Sequence, residues 1–318
     1  MIKTMIKLLY HILIQIRNFL YDYKILKAYK SSIPIISVGN ITTGGTGKTP
    51  FVIYLTKLFL KENYTPLIIS RGYKRKETNQ ILFNGKNEVS ANQVGDEPLL
   101  ISKKIPEVDI IINKNRVEAI KYAEQSNKRY DIVILDDAFQ HRAIQRNLDI
   151  VLINTNQNHS NLLPHGNLRE PLKNLSRADC LILTKDNVEF DIKQFIEKIN
   201  IPVFKCNEEY FMSNTQKKLG IGFCGIGDPS SFWKILDNMS INITKKFVFL
   251  DHQEYNSSTI QSMENVLNKG DTFFTTEKDW VKLPENFIKK YTGVFIKMKV
   301  SVDDDLFIKM VNKICPPN

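Results

Sequence analysis

A short β-branched run, Ile33–Val38, passes through Gly39-Asn40-Ile41-Thr42-Thr43-Gly44-Gly45-Thr46-Gly47-Lys48-Thr49 into the amphipathic pattern Phe51–Leu60. Strand, glycine loop and helix in that order restrict this chain more than any other feature. Glycines let the main chain curl until successive N–H groups converge, and the following helix adds its N-terminal dipole, so such a loop holds a phosphate. The cradle spans Thr43, Gly44, Gly45, Thr46, Gly47, Lys48, Thr49 and Pro50. Lys48 is placed for the β- and γ-phosphates of a nucleotide, and the Thr49 hydroxyl for Mg²⁺. Thr42 stands at the first position of G-x-x-x-x-G-K-[ST], where glycine is usual, and Gly44 and Gly45 supply flexibility nearby. A glycine turn without a ligand is the alternative, and the strand and helix on either side argue against it.

A loop of this kind works with a second carboxylate at the end of a neighbouring strand. Ile132–Leu135 ends in Asp136-Asp137, which puts Asp136 near the metal; the competing role for such an aspartate is a helix cap. Pro66–Ser70, Asp149–Ile153 and Cys180–Thr184 also read as buried strands alternating with helical patterns. The expected fold is therefore α/β, a P-loop NTPase-like doubly wound sheet with ligands at the carboxyl ends of its strands. Residues 205–218 are polar and irregular, and a second series of strands begins at Leu219. The expected organisation is an amphipathic helix over 1–30, a P-loop domain over 31–204, a linker over 205–218 and a smaller C-terminal α/β domain over 219–318.

In the first segment Lys3, Lys7, His11, Gln15, Asn18 and Asp22 recur at helical spacing, while Ile2, Ile6, Leu9, Leu13, Ile16 and Leu20 fill another face. Its basic residues outnumber its one acid, which favours anionic lipid. The polar interruptions favour a helix lying in a membrane interface over a spanning one, and the charges running through the segment fit a cleaved signal poorly. A surface helix packed on the protein's own core has the same periodicity, and the pattern leaves both open. Net charge is +10, from 44 basic and 34 acidic residues, which suits nucleotides, phospholipids or nucleic acid alike. No aromatic platform or recognition motif supports nucleic acid. Cys180, Cys206, Cys224 and Cys315 form no metal or disulfide pattern and fit a reducing compartment.

Val94-Gly95-Asp96-Glu97-Pro98, Asp136 through Arg142, and Asn167-Leu168-Arg169-Glu170-Pro171 carry polar groups that folding alone would not require, although each could be a solvated turn. Together with Val38-Gly39-Asn40, Ser70-Arg71-Gly72-Tyr73, Asp251-His252 and Thr275-Thr276-Glu277-Lys278-Asp279, they make the chain resemble the tetraacyldisaccharide 4'-kinases of lipid A biosynthesis. The resemblance extends from Val38 to Asp279. It implies transfer of the ATP γ-phosphate to the 4'-hydroxyl of an acylated glucosamine disaccharide 1-phosphate, giving lipid IV-A, at the cytoplasmic face of a bacterial inner membrane; a monomer is expected, though the sequence does not fix the oligomeric state. By the same resemblance Asp96 is the base and His252 its orienting partner. Lys48, Arg169 and Asp137 serve the transferring phosphate, Thr49, Asp136 and Glu170 the Mg²⁺, and Arg71, Tyr73 and Asn40 the acceptor. Ala138 departs from the glycine common after the acidic pair, Gln253 from a second histidine, and His165 and Asn167 vary the approach to Arg169. A P-loop switch or partitioning ATPase is the rival class. Thr184-Lys185-Asp186-Asn187 approaches the guanine-reading [NT]-K-x-D element but lacks its aspartate, which favours ATP.

Overall fold

The computed structural model describes residues 2–314 apart from 158, 160, 186–189, 215 and 269. Cys315, Asp186 and Asn187 lie outside the described residues. The first sheet is built from β1 (Ile35–Asn40), β2 (Pro66–Ser70), β3 (Ile81–Phe83), β4 (Asp109–Ile112), β5 (Ile132–Asp136), β6 (Leu148–Asn154), β7 (Cys180–Thr184) and β8 (Val203–Lys205). Their spatial order is β3-β4-β2-β5-β1-β6-β7-β8, parallel except for the edge strand β3. β1, β5 and β6 are buried along their whole length, which is why they read as continuous apolar runs without alternation. β5 pairs with β1 in register Val38↔Asp136, so the glycine loop and the acidic pair leave neighbouring strands at the same end of the sheet.

The second sheet contains β9 (Asn207–Met212), β10 (Leu219–Cys224), β11 (Asn242–Val248), β12 (Thr272–Thr276) and β13 (Thr292–Ser301), in the order β11-β10-β12-β13-β9. Two boundaries drawn from sequence are corrected. The segment 205–218 is not an irregular linker, because Asn207–Met212 pairs antiparallel with β13. Its burial alternates, but with Asn207, Glu209 and Phe211 turned outward and Glu208 turned inward no apolar stripe marks the strand. The C-terminal domain also ends early: Val302, Phe307 and Val311 are buried in the core of the first domain, where Phe307 meets Phe51 and Phe204 at ring-centroid distances of 6.1 and 5.4 Å.

Helix α1 (Ile2–Asp22) inverts the usual arrangement of an amphipathic surface helix. Its polar side faces the protein. Lys7 donates to Asn161, Tyr10 to the carbonyl of Arg169 and Asn18 to Glu170, while Arg142 bridges Asp22 and the Asn18 carbonyl. Among its described apolar residues only Ile14 is buried, whereas Leu8, Leu9, Leu13, Ile16 and Phe19 are each more than half exposed. No helix among the described residues is long and apolar enough to cross a membrane.

Candidate active site

β1 delivers the chain to the glycine loop past a point where no side chain fits. A Cβ on Gly39 would stand 2.6 Å from both the Cβ and the backbone nitrogen of Phe139. Gly44 (φ 98°) and Gly47 (φ 78°) take left-handed conformations that form the curl, and helix α2 (Lys48–Lys61) starts with no side chain capping its first N–H groups. The loop is braced from behind: Asn40 Nδ2 donates to Thr46 Oγ1 (2.9 Å), Asn154 Nδ2 to the Gly45 carbonyl (2.9 Å), and the Thr43 N–H to the Asn167 carbonyl (2.7 Å). Thr42, at the irregular position, is buried and donates to Gln157 at 2.8 Å without needing a glycine conformation.

Opposite the loop the two aspartates are pushed apart in acidity. Asp137 (φ 48°) lies 3.5 Å from Lys48 Nζ, and both its oxygens accept from Arg169 Nη1 at 2.9 Å. Burial works against its charge, but Lys48 and Arg169 prevail and hold the carboxyl at about 2. Asp136 is 1% exposed. Burial, reinforced by Glu97 and Asp137, raises it to about 7 against the pull of Lys48 and Ser70. Ser70 Oγ donates to one of its oxygens at 2.9 Å, and the other has no hydrogen-bond partner among the described residues. An orphaned, buried carboxylate oxygen is suited to a hard cation. No cluster of three or more His, Cys, Asp or Glu side chains that could hold a metal occurs among the described residues. Mg²⁺ takes one or two protein ligands and completes its shell with phosphate and water. Ala138 does not adopt a left-handed backbone and sits fully buried, so glycine is not required after the acidic pair.

A third group joins the domains. Asp96 opens the helix Asp96–Lys104 after Gly95 (φ 93°), and its Oδ2 lies 3.1 Å from His252 Nδ1 and 3.3 Å from Lys282 Nζ. Burial opposes its charge, yet the His252 bond and Lys282 keep its carboxyl below the ordinary range. His252 (φ 64°) follows β11 in a left-handed turn, is 9% exposed and meets the Tyr73 ring edge-on at 5.3 Å. Gln253, in place of a second histidine, turns its side chain to the Glu254 carbonyl and Thr259, while its own carbonyl accepts from Lys282. It supports the pair through Lys282.

One cavity of about 960 Å³ collects these groups. Thr43 through Pro50, Arg71, Tyr73, Asp136, Asp137, Arg169 and His252 line it, as do Tyr10 and Arg17 of α1. Asp96 adjoins the wall beside its neighbour Glu97. Two expected site residues are elsewhere. Glu170 is fully buried and its carboxylate is taken up by Asn18, Asn174 and Arg177, with Arg17 at 3.4 Å, so it does not reach the cavity as a metal ligand. Asn40 donates its side-chain N–H to Thr46 and its backbone carbonyl accepts from Gln140, so it braces the loop from outside the cavity lining; its Oδ1 is buried with no hydrogen-bond partner among the described residues. Sequence reading missed Arg116, which donates to the carbonyls of Asp136 and Asp137, and Lys185, Glu208 and Tyr210, which line the cavity from just after β7 and from β9. No apolar alternation in 207–212 signalled Glu208 and Tyr210.

The sequence profile of the family described as LpxK, tetraacyldisaccharide-1-P 4'-kinase, matches residues 2–315. The chain belongs to this kinase family. Among its relatives, the tetraacyldisaccharide 4'-kinase of Aquifex aeolicus is 37% identical over 312 residues, covering 95% of this chain and 94% of the other. That of Pelodictyon phaeoclathratiforme is 35% identical over 298 residues, covering 86% and 84%. A crystal structure of LpxK from Aquifex aeolicus in complex with ATP superposes with a TM-score of 0.82 at 34% identity, covering 99% of each chain. This LpxK-family protein is thus an ATP-binding phosphotransferase of lipid A biosynthesis, and the cavity between its two sheets is the candidate site of transfer.

Proposed function

We propose that this kinase moves the ATP γ-phosphate to the 4'-hydroxyl of a tetraacyldisaccharide 1-phosphate, giving lipid IV-A, with Asp96 as the base. The observation that carries this reading is the Asp96–His252 pair, held at the edge of the cavity that also contains Lys48, Asp136 and Asp137. Main-chain amides of the glycine loop and Lys48 grip the triphosphate. Thr49 and Asp136 would hold Mg²⁺, whose charge would offset that of the β- and γ-phosphates. Asp96 accepts the proton of the acceptor hydroxyl as its oxygen bonds to the γ-phosphorus and the bond to the β-phosphate oxygen breaks, releasing ADP. Arg169, fixed on Asp137, is available to the charge that spreads over the transferring group. Glu208 Oε1, a buried acceptor without a partner among the described residues, suits the amino group of adenine.

The acceptor's acyl chains require a bilayer, and the outward apolar face of α1 supports docking in the interface at the cytoplasmic face of the inner membrane. Tyr10 and Arg17 place the same helix on the cavity wall, where a headgroup would enter. The test supplies γ-labelled ATP, Mg²⁺ and acylated disaccharide 1-phosphate in detergent. Wild type should label the lipid, Lys48→Ala and Asp96→Ala should lose about 10²–10⁴ in kcat, and His252→Ala less. Free phosphate as the sole product would favour an ATPase, and full turnover in Asp96→Ala would remove the proposed base.

A further inference from the structure

Lys278 Nζ stands 3.3 Å from His252 Nε2, on the side of the ring opposite Asp96. An ammonium group donates and cannot accept, so at that contact Nε2 must be the acceptor. The competing partner is Asp251 Oδ2, which would need Nε2 to carry a proton; at 3.7 Å it is beyond hydrogen-bond reach. At the other nitrogen, the 3.1 Å contact to the Asp96 carboxylate requires a donor. Both ends of the ring therefore call for one tautomer, protonated on Nδ1 and bare on Nε2. We propose that Lys278 is a positioning residue of this kinase: by occupying Nε2 of His252 it compels the ring to present its Nδ1–H to Asp96. The ring is then left without a vacant nitrogen, so the acceptor's proton goes to Asp96. The proposal rests on the reading of Asp96 as the base.

The surroundings of Lys278 are built for that contact. It lies in the short helix Glu277–Trp280, whose start is capped by Thr276 Oγ1 accepting from the Asp279 N–H. Its neighbours fix the segment on both sides: Glu277 pairs with Lys104 of the first domain, and Asp279 accepts from the Gly225 N–H and pairs with Lys282. Asp251 Oδ1 at 3.2 Å and Glu97 Oε1 at 3.5 Å hold the ammonium itself. Burial acts against its charge, but Glu97, Asp251 and Asp96 raise its pKa, so it remains a donor. The groups facing His252 are thus Asp96, Asp251, Lys278 and the Tyr73 ring, with Glu97 and Lys282 one contact further out. The Thr-Glu-Lys-Asp run at 276–279 gains a physical role for each of its members.

Nitrogen NMR of histidine-labelled full-length enzyme, with the His252 signal assigned by its loss in His252→Gln, tests this. Wild type should show Nδ1 protonated and Nε2 bare. Lys278→Met should shift the ring toward the Nε2–H tautomer and lower kcat about tenfold with little change in either KM, and Lys278→Arg should restore both. A wild-type ring protonated on Nε2 would overturn the proposal, as would an unchanged tautomer and kcat in Lys278→Met. Should Lys278→Met fail to fold, judged by the remaining histidine signals and ATP binding, the wild-type tautomer decides alone. Full activity in Asp96→Asn would instead remove the base and leave the tautomer result standing.

Discussion

His252 Nδ1 meets Asp96 Oδ2 at 3.1 Å across 156 residues of sequence, and the contact joins one sheet domain to the other. Asp96 belongs to a helix of the first domain, and His252 to the turn after β11 of the second. Lys282 with Asp96, Lys278 with Glu97 and Lys104 with Glu277 cross the same interface. Most of these side chains are shielded from solvent, so removing one partner leaves a poorly solvated charge unpaired and disturbs the rest. The proton-accepting part of the site therefore depends on how the two domains meet.

Asp136 makes stability fall as pH rises in the nucleotide-free protein. The folded protein keeps this proton up to about pH 7, while the unfolded chain releases it near 3.8. Folding takes up a proton between those values, so stability is lost through that window, at about 1.4 kcal/mol for each pH unit crossed. Asp136→Asn should melt higher than wild type at pH 8 and equally at pH 4, yet lose the extra protection that Mg²⁺ adds to ATP. Differential scanning calorimetry with and without Mg²⁺ checks both, and identical melting of the two proteins at pH 8 would refute the raised pKa of Asp136.

Glu170 anchors α1 and is not a metal ligand. Glu170→Ala strands Arg177 and Asn18 inside the fold and should cost about 3–5 kcal/mol in a urea titration. The Mg²⁺ concentration needed for half-maximal activity of the surviving folded enzyme should not move. A large rise in that concentration would return Glu170 to the metal.

The outer face of α1 should bind lipid. Replacing Leu9, Leu13 and Ile16 by serine removes exposed apolar surface that touches no part of the core, each side chain being worth roughly 1 kcal/mol in an interface. Partitioning onto anionic vesicles should fall about a hundredfold with the melting temperature unchanged, as cosedimentation would show.

Gly39→Ala should damage the loop without touching a ligand. The new methyl meets the Phe139 backbone, which cannot yield without moving the acidic pair at the end of β5. We expect a loss of at least about 1–3 kcal/mol in stability and weaker ATP binding by titration calorimetry.

The glycine loop, the acidic pair and the parallel strands between them were legible because each is a local signal: continuous apolar runs mark strands buried on both faces, and Gly44, Gly47 and Lys48 lie within one turn of chain. Residues 207–212 were misread since polar and apolar residues fall on both of their sides and their antiparallel partner lies far along the chain (Met212↔Ile296 to Asn207↔Ser301 in register). Helix α1 was readable as amphipathic, but periodicity does not say which face meets the protein; a buried hydrogen bond to Glu170 and a part-buried one to the Arg169 carbonyl decided that. Glu170 and Asn40 show the reverse case. Each sits in a motif full of site residues, and only the packing around them reveals that the Glu170 carboxylate and the Asn40 side-chain N–H are already engaged by the fold. Which side chains converge from distant segments, as Asp96, His252 and Lys278 do, is set by how two sheets pack, and no spacing along the chain encodes it.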